Sequence, residues 1–392
     1  MGRSFDAVII GGGIMGAWIA LELAQRGAGE ILLLEKSSPG AGSSGKSGAI
    51  LRQHYSHPTS ICMARHSLDR YARFEEEFGI DIGFHRTGMV FIAGADSAAD
   101  IEENVALQRQ HGVDASVIGA DELQELEPTG RFTEGECAAW EPEAGYVHPL
   151  RAVYGCLEVA MREGVTVRTG VAVRSIEVVQ GRASAVRLDD GERVEAGHII
   201  NAAGPWARKL LEPHAGDLPL RAIRPEQAYF EPPSGSIEKR TIYGDMVTGL
   251  YWKPEAAGWT RVGCLSFDAD PEVDPDHYDE GVDGRFIQRC RARLSERLPH
   301  YRRSASWGGC GALYTVTPDA RAIIGPVAGI AGLTLVSGFS GHGFKMGPAV
   351  GCGVAGMVTG TETGPLEPEF FTVDRFSRVS TQGGRYSFGI LG

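Results

Sequence analysis

Val8-Ile9-Ile10 runs straight into Gly11-x-Gly13-x-x-Gly16, and this junction restricts the fold more than anything else in the chain. An apolar run of this kind is buried in a parallel sheet. Gly11 permits the sharp turn, Gly13 lets a pyrophosphate approach the backbone, and Gly16 lets helix and strand pack closely. The helix continues on good helix formers through Ala17–Gln25, and Gly27 lies just past its end. Its first turn, with Ile14 and Met15, aims unpaired N–H groups and the positive end of the helix dipole at the phosphates. Ile31–Leu34 reads as the next buried strand. Glu35 at its end can accept both ribose hydroxyls of an adenosine half, with Lys36 beside it. Strand, turn, helix, strand and acid agree on a dinucleotide site. FAD and NAD fit it equally, whereas Glu35 would repel the extra phosphate of NADP.

The length of 392 residues suggests two domains. An apolar content of 43% with 22% charged residues is that of a soluble globular protein. A net charge of −12 argues against nucleic acid and anionic membranes as partners. The seven cysteines are scattered singly, without a CxxC pair or metal-ligand spacing. Reduced thiols, a cytoplasmic location and no metal follow as expectations. The first buried strand starts too close to Met1 for a signal peptide. Asp6 and Glu22 interrupt the apolar stretch, so no membrane span is expected there.

The loop after Glu35 is rich in glycine and serine. Ser43, Ser44, Gly45 and Lys46 can meet a phosphate or a flavin edge there, or the loop can be a plain connector; Arg52 and His54 close it. An amphipathic helix is predicted over 59–78, capped by Thr59 or Ser60 and stopped by Gly79. A strand at Gly88–Ala93 opens a stretch of different texture. From Arg151 the α/β pattern returns, with a hairpin across Gly181 that brings in Val173. Strand His198–Ala202 then ends in Ala203-Gly204-Pro205-Trp206, another small-residue turn where backbone can touch a ligand. Residues 219–316 hold longer aromatic strands, including Leu250–Lys253 with Tyr251. A helix near 281–298 carries Arg285, Arg289, Arg293 and Arg297 at every fourth position, a solvated face rather than a grip for an acidic partner. Leu333–Ser337 then leads into a second glycine-rich turn, GFSGHGFK, spanning Gly341, His342, Gly343, Phe344 and Lys345. Its helix start offers a positive dipole end to an electron-rich group such as the N1–C2 edge of a reduced flavin.

The segments GGGIMG, GSSGKSGAILRQHY, HIINAAGPWA, LYTVTPDARAIIGP and GFSGHGFKMGPAVG together resemble the D-amino-acid-oxidase-like FAD oxidoreductases, most of all the sarcosine oxidase and glycine oxidase branch. The resemblance implies an α/β fold. A discontinuous Rossmann-like FAD-binding domain would comprise 1–82, 145–216 and 317–376. An α+β substrate domain with a large mixed or antiparallel sheet would comprise 83–144 and 217–316, leaving a tail at 377–392. FAD would lie extended, its adenine near Val173 and its ring under GFSGHGFK.

These enzymes oxidise a C–N bond by passing a hydride equivalent to flavin N5, after which water hydrolyses the imine. Arg52 matches the arginine that clamps the substrate carboxylate, Lys345 a second carboxylate-binding cation, and Tyr251 an aromatic wall of the pocket. His54, beside Arg52, is either a proton acceptor or a loop histidine bonded to backbone. Covalently flavinylated members carry a cysteine where this chain has Ala312, or a histidine where it has Lys46, so non-covalent FAD is expected. The oxygen-activating lysine of sarcosine oxidase corresponds to Arg261, with Lys253 nearby, and a pocket histidine to Leu265. Electrons would then pass to oxygen or to another acceptor. An FAD-dependent 2-hydroxy-acid dehydrogenase and a flavin-binding subunit of a larger oxidase complex are the rival readings; the chain would act as a monomer or within an oligomer.

Overall fold

A computed structural model describes residues 4–232, 241–267 and 270–377. Five parallel strands form the centre of the first sheet: Thr166–Thr169, Ile31–Glu35, Ser4–Ile10, Arg193–Asn201 and Leu333–Ser337. Val8, Ile9, Leu32, Leu33, Ile199 and Ile200 are fully buried, which is why both faces of these strands are apolar in sequence. The hairpin of Val173–Val179 and Arg182–Leu188 extends the sheet antiparallel, and Ile323–Pro326 closes its other branch. All five parallel strands point their carboxyl ends the same way. That edge of an open α/β sheet is where such folds bind ligands.

Two helices dominate one face of this sheet. Ile14–Gln25 follows the first glycine turn and Gly343–Thr359 follows the second. They touch through small residues: a Cβ on Gly351 would stand 2.9 Å from the backbone and Cβ of Trp18. Pro348 lies inside the later helix and removes the N–H that would bond the Phe344 carbonyl. The Tyr71 hydroxyl takes over, donating to that carbonyl at 2.8 Å while the Trp18 indole N–H donates to Tyr71 at 3.2 Å. All three residues are buried. Tyr71→Phe should therefore lower stability by about 1–3 kcal/mol, because it leaves a buried carbonyl and an indole N–H unsatisfied. Urea unfolding of the variant measures this, and an unchanged midpoint would refute it.

The second sheet has eight strands in the order Ser306–Gly311, Glu226–Phe230, Thr260–Cys264, Leu250–Pro254, Ile242–Asp245, Met89–Ala93, Cys137–Glu141 and Ser116–Gly119. Only the Ile242–Asp245/Met89–Ala93 pair is parallel. Alternation gives it two unlike faces. Leu250, Trp252, Val262, Ala228 and Phe230 pack against Phe286, Cys290 and Leu294 of helix Gly284–Arg297. Tyr251, Lys253, Arg261, Gly263, Gln227 and Tyr229 form the opposite, polar and aromatic face, with Tyr251 paired to Gly263 and Lys253 to Arg261.

Three local expectations change. The helix over 59–78 is two helices, Pro58–Ala72 and Phe74–Phe78, separated at Arg73. Its cap is His57, whose Nδ1 accepts the Thr59 N–H at 3.3 Å, because Pro58 fits the first helical position and moves the start forward. Of the arginine stripe, Arg285, Arg289 and Arg293 are exposed, but Arg297 is buried on Glu136 at 2.7 Å and Asp245 at 2.9 Å. The tail from 378 onward lies outside the described residues.

Candidate functional site

The carboxyl edge of the first sheet opens into a cavity of about 700 Å³. Every central strand reaches it or hands the chain to a loop that does, through Ile10, Leu34, Glu35, Val171, Ala202, Ala203 and Ser337. Gly11, Gly13, Ile14 and Met15 line the same cavity as Gly338–Gly341, Gly343 and Phe344. Two glycine turns more than three hundred positions apart in sequence thus face one space. Neither helix start has a side-chain cap at its N-cap residue, Gly13 or His342. Apart from the Ile14 N–H, which the Ser44 hydroxyl accepts, their first-turn N–H groups and dipoles are open to whatever fills the cavity.

An FAD fits these residues. Gly11 has φ +108°, and a Cβ there would lie 2.6 Å from the Ala202 carbonyl oxygen. A Cβ on Gly16 would fall 1.9 Å from the Gly11 carbonyl, so strand and helix meet only because position 16 is bare. Glu35 accepts the Gly12 N–H through Oε2 and the Ser37 N–H through Oε1, both at 2.8 Å. Each carboxylate oxygen keeps a lone pair for a ribose hydroxyl. Ser44 ties the following loop to the first helix by accepting the Ile14 N–H at 3.0 Å. At the other end, Gly341 has φ +89° and a Cβ would stand 2.9 Å from the Tyr314 ring, which also lines the cavity.

Arg52 and Lys345 lie beyond the Gly343–Phe344 end of the cavity and do not line it. Arg52 is 4% exposed; its guanidinium packs 4.4 Å from the Tyr55 ring centre and 5.2 Å from Phe91, and donates to the His54 carbonyl. Lys345, in the first turn of the last helix, is 7% exposed and makes no hydrogen bond or ion pair with the described residues. Burial, then the Arg52 charge, holds its ammonium well below the ordinary lysine value. Tyr55 links the two segments, its hydroxyl 3.0 Å from His342 Nδ1. Each of these basic groups offers a buried anion a partner, and Lys345 feels the Arg52 charge.

His54 sits behind Arg52 with no exposed surface, stacked on Phe91 at 4.5 Å. Hydrogen bonds join its two ring nitrogens to the side-chain amides of Asn104 (3.2 Å) and Gln108 (2.9 Å). Burial, reinforced by Arg52, lowers it to about 3, so the imidazole is neutral. Glu141 completes this wall. Its carboxylate accepts the Gln53 N–H at 2.8 Å, and burial raises it to about 7 against the pull of Arg52.

Residues 6–357 match the profile of a family described as DAO, FAD dependent oxidoreductase. The chain belongs to that family. This FAD-dependent oxidoreductase is 27% identical to 4-methylaminobutanoate oxidase (formaldehyde-forming) of Paenarthrobacter nicotinovorans over 94% of its own length and 45% of that relative's. It spans under half of that longer protein. It is 26% identical to the peroxisomal sarcosine oxidase of Mus musculus, covering 88% of this chain and 90% of that one. Among solved structures, L-proline dehydrogenase from P. horikoshii superposes with a TM-score of 0.86 at 26% identity, over 96% and 99% of the two chains.

Of the residues expected at the cofactor, Gly11, Gly13, Ile14, Met15, Glu35, Lys36, Ser43, Ser44, Val173, Ala203, Gly204, Trp206, Gly341, Gly343 and Phe344 line the cavity. Gly16, Gly45, His342 and Lys345 do not line it. Lys46 does not itself line the cavity, but its ammonium donates to the Tyr278 hydroxyl at 2.7 Å and pairs with Glu280 at 2.8 Å, two residues that do. Tyr251 is 8% exposed and borders a smaller cavity of about 80 Å³ that shares Tyr314 with the large one. Arg261 is held by Glu255, Gln227 and the Lys46 carbonyl, Lys253 pairs with Glu255 at 3.1 Å, and Leu265 is buried. Burial brings Lys253 down to about 8. Pro275, Asp276, Tyr278, Glu280 and Tyr314 also line the large cavity, beyond the site residues that the sequence points to. Tyr314 and Thr315 lie within LYTVTPDARAIIGP and were legible in principle; the segment at 275–280 carries no motif.

Proposed function

We propose that the chain oxidises the C–N bond of a secondary amine or α-amino acid bearing a free carboxylate, using non-covalently held FAD. The observation that carries this is the unpaired Lys345 ammonium beside Arg52, both more than nine-tenths buried behind the flavin end of the cavity. A carboxylate could be met by both, Arg52 bidentately and Lys345 as a point charge. Fixing the carboxylate fixes the adjacent carbon, which is how this chain would orient the bond to be oxidised. When bound, FAD supplies the acceptor for the hydride equivalent, and water hydrolyses the resulting imine. Tyr251 is assigned to the wall of the substrate pocket, on the polar face of the second sheet. His54 is assigned to holding the Arg52 loop in place, since it is neutral and enclosed by Asn104 and Gln108.

The reading also assigns 1–82, 145–216 and 317–376 to the cofactor unit and 83–144 and 217–316 to the substrate unit. In support, every strand of the first sheet falls in the former ranges and every strand of the second in the latter. Neither Cys310 nor Lys46 lines the cavity, which favours flavin without a covalent link.

Anaerobic mixing of the yellow protein with N-methyl amino acids, free amino acids and 2-hydroxy acids tests the proposal. Bleaching of the oxidised flavin band by amines alone is expected; bleaching only by hydroxy acids, or by nothing in the panel, would refute it. Repeating the reaction in air distinguishes oxygen from another acceptor.

A further inference from the structure

Residues 274–280 cross the cavity mouth from the substrate side, and Pro275, Asp276, Tyr278 and Glu280 face into it. The two ends of this crossing are held by backbone hydrogen bonds. Val273 N–H donates to the Ala222 carbonyl at 2.8 Å, and Gly311 N–H donates to the Glu280 carbonyl at 2.9 Å. Arg224 fastens the outgoing end, donating to the carbonyls of Asp279 at 2.5 Å and Gly281 at 2.7 Å.

The middle is held differently. Asp276 receives Lys36 at 3.2 Å, Lys209 at 2.7 Å and the Trp206 indole N–H at 2.5 Å. Lys209 also bonds Asp274 at 2.9 Å, and Lys46 bonds Tyr278 and Glu280. Lys36, Lys46, Trp206 and Lys209 all come from the cofactor side of the cavity. Among the described residues, no backbone–backbone hydrogen bond ties 275–279 to that side.

We propose that residues 274–280 complete the cofactor site as a strap, tethered at both ends and closed across the bound dinucleotide by side-chain contacts, chiefly lysine–carboxylate pairs. Three lysines on one rim meet Asp274, Asp276 and Glu280 on the strap, so closure holds the cofactor in and opening of the middle lets it pass. Charge contacts at a partly solvated mouth are screened by salt, with a Debye length of about 10 Å at 0.1 M ionic strength. Backbone tethers are not.

The test is the rate at which flavin leaves the yellow holoprotein, read as flavin fluorescence in a filtrate over time. Release should be at least about fivefold faster in high than in low salt. Asp274→Asn and Lys46→Glu should each speed release to a similar degree at low salt; neither residue lines the cavity, so neither variant removes a cofactor contact. Adding Glu280→Lys to Lys46→Glu should restore slow release, whereas Glu280→Lys alone, at a position that lines the cavity but faces an unchanged Lys46, should speed it; slowing by that single change would instead mark a direct contact with the cofactor and overturn the strap. Equal rates in all salts, or a charge-swapped double variant as fast as the single one, would overturn the strap. Flavin that stays with acid-precipitated protein would overturn it too. The readout needs no substrate, so its failure is separate from failure of the proposed C–N oxidation.

Discussion

Arg52→Ala should raise KM for carboxylate-bearing substrates at least about tenfold, and the penalty should vanish for an amine lacking the carboxylate. The guanidinium is 4% exposed, flanked by Tyr55 and Phe91 and anchored to the His54 carbonyl, so its orientation is set before substrate arrives. Pre-set orientation is what makes a bidentate clamp effective. Arg52→Lys should recover little, because an ammonium cannot fork onto both oxygens. Steady-state kinetics on matched substrates with and without a carboxylate check this, and an unchanged KM would remove Arg52 from the site.

Lys345→Met should weaken a simple carboxylate ligand about tenfold and flatten the pH dependence of its binding. Burial first, then the Arg52 charge, depresses the lysine in the free protein. Only the protonated form attracts an anion, so affinity in the parent protein falls as pH rises through that lowered value. The methionine variant has no such proton to lose, so its curve should keep only the shallower dependence that Glu141, raised to about 7 beside Arg52, imposes. Ligand titrations followed by the flavin spectrum give the two pH curves. Parallel curves would show that Lys345 is not the second cation.

Local chemistry made part of this legible. Gly11, Gly13, Gly16 and Glu35 act within one strand–turn–helix–strand unit, where spacing alone fixes which backbone is bare and where the acid stands. The second turn at Gly341–Lys345 was readable for the same reason. The surroundings of His54 were not, because Asn104 and Gln108 lie fifty positions later and meet it only through tertiary packing. The partners of Lys46 were hidden for a similar reason: its loop reaches the cavity through Ser43 and Ser44, while its own ammonium is captured by Tyr278 and Glu280 from another part of the chain. The segment at 274–280 has no periodicity or motif. Its place over the cavity comes from where its two ends are tied.

The central claim is that both glycine turns grip one FAD molecule. A crystal structure of the flavin-loaded protein tests this most directly. The account predicts the pyrophosphate against the N–H groups of Gly13 and Met15, the ribose on Glu35, and the flavin C2 carbonyl at the Gly343–Phe344 helix start. A flavin ring seated away from Gly341–Phe344, or an adenosine half away from Glu35, would contradict it.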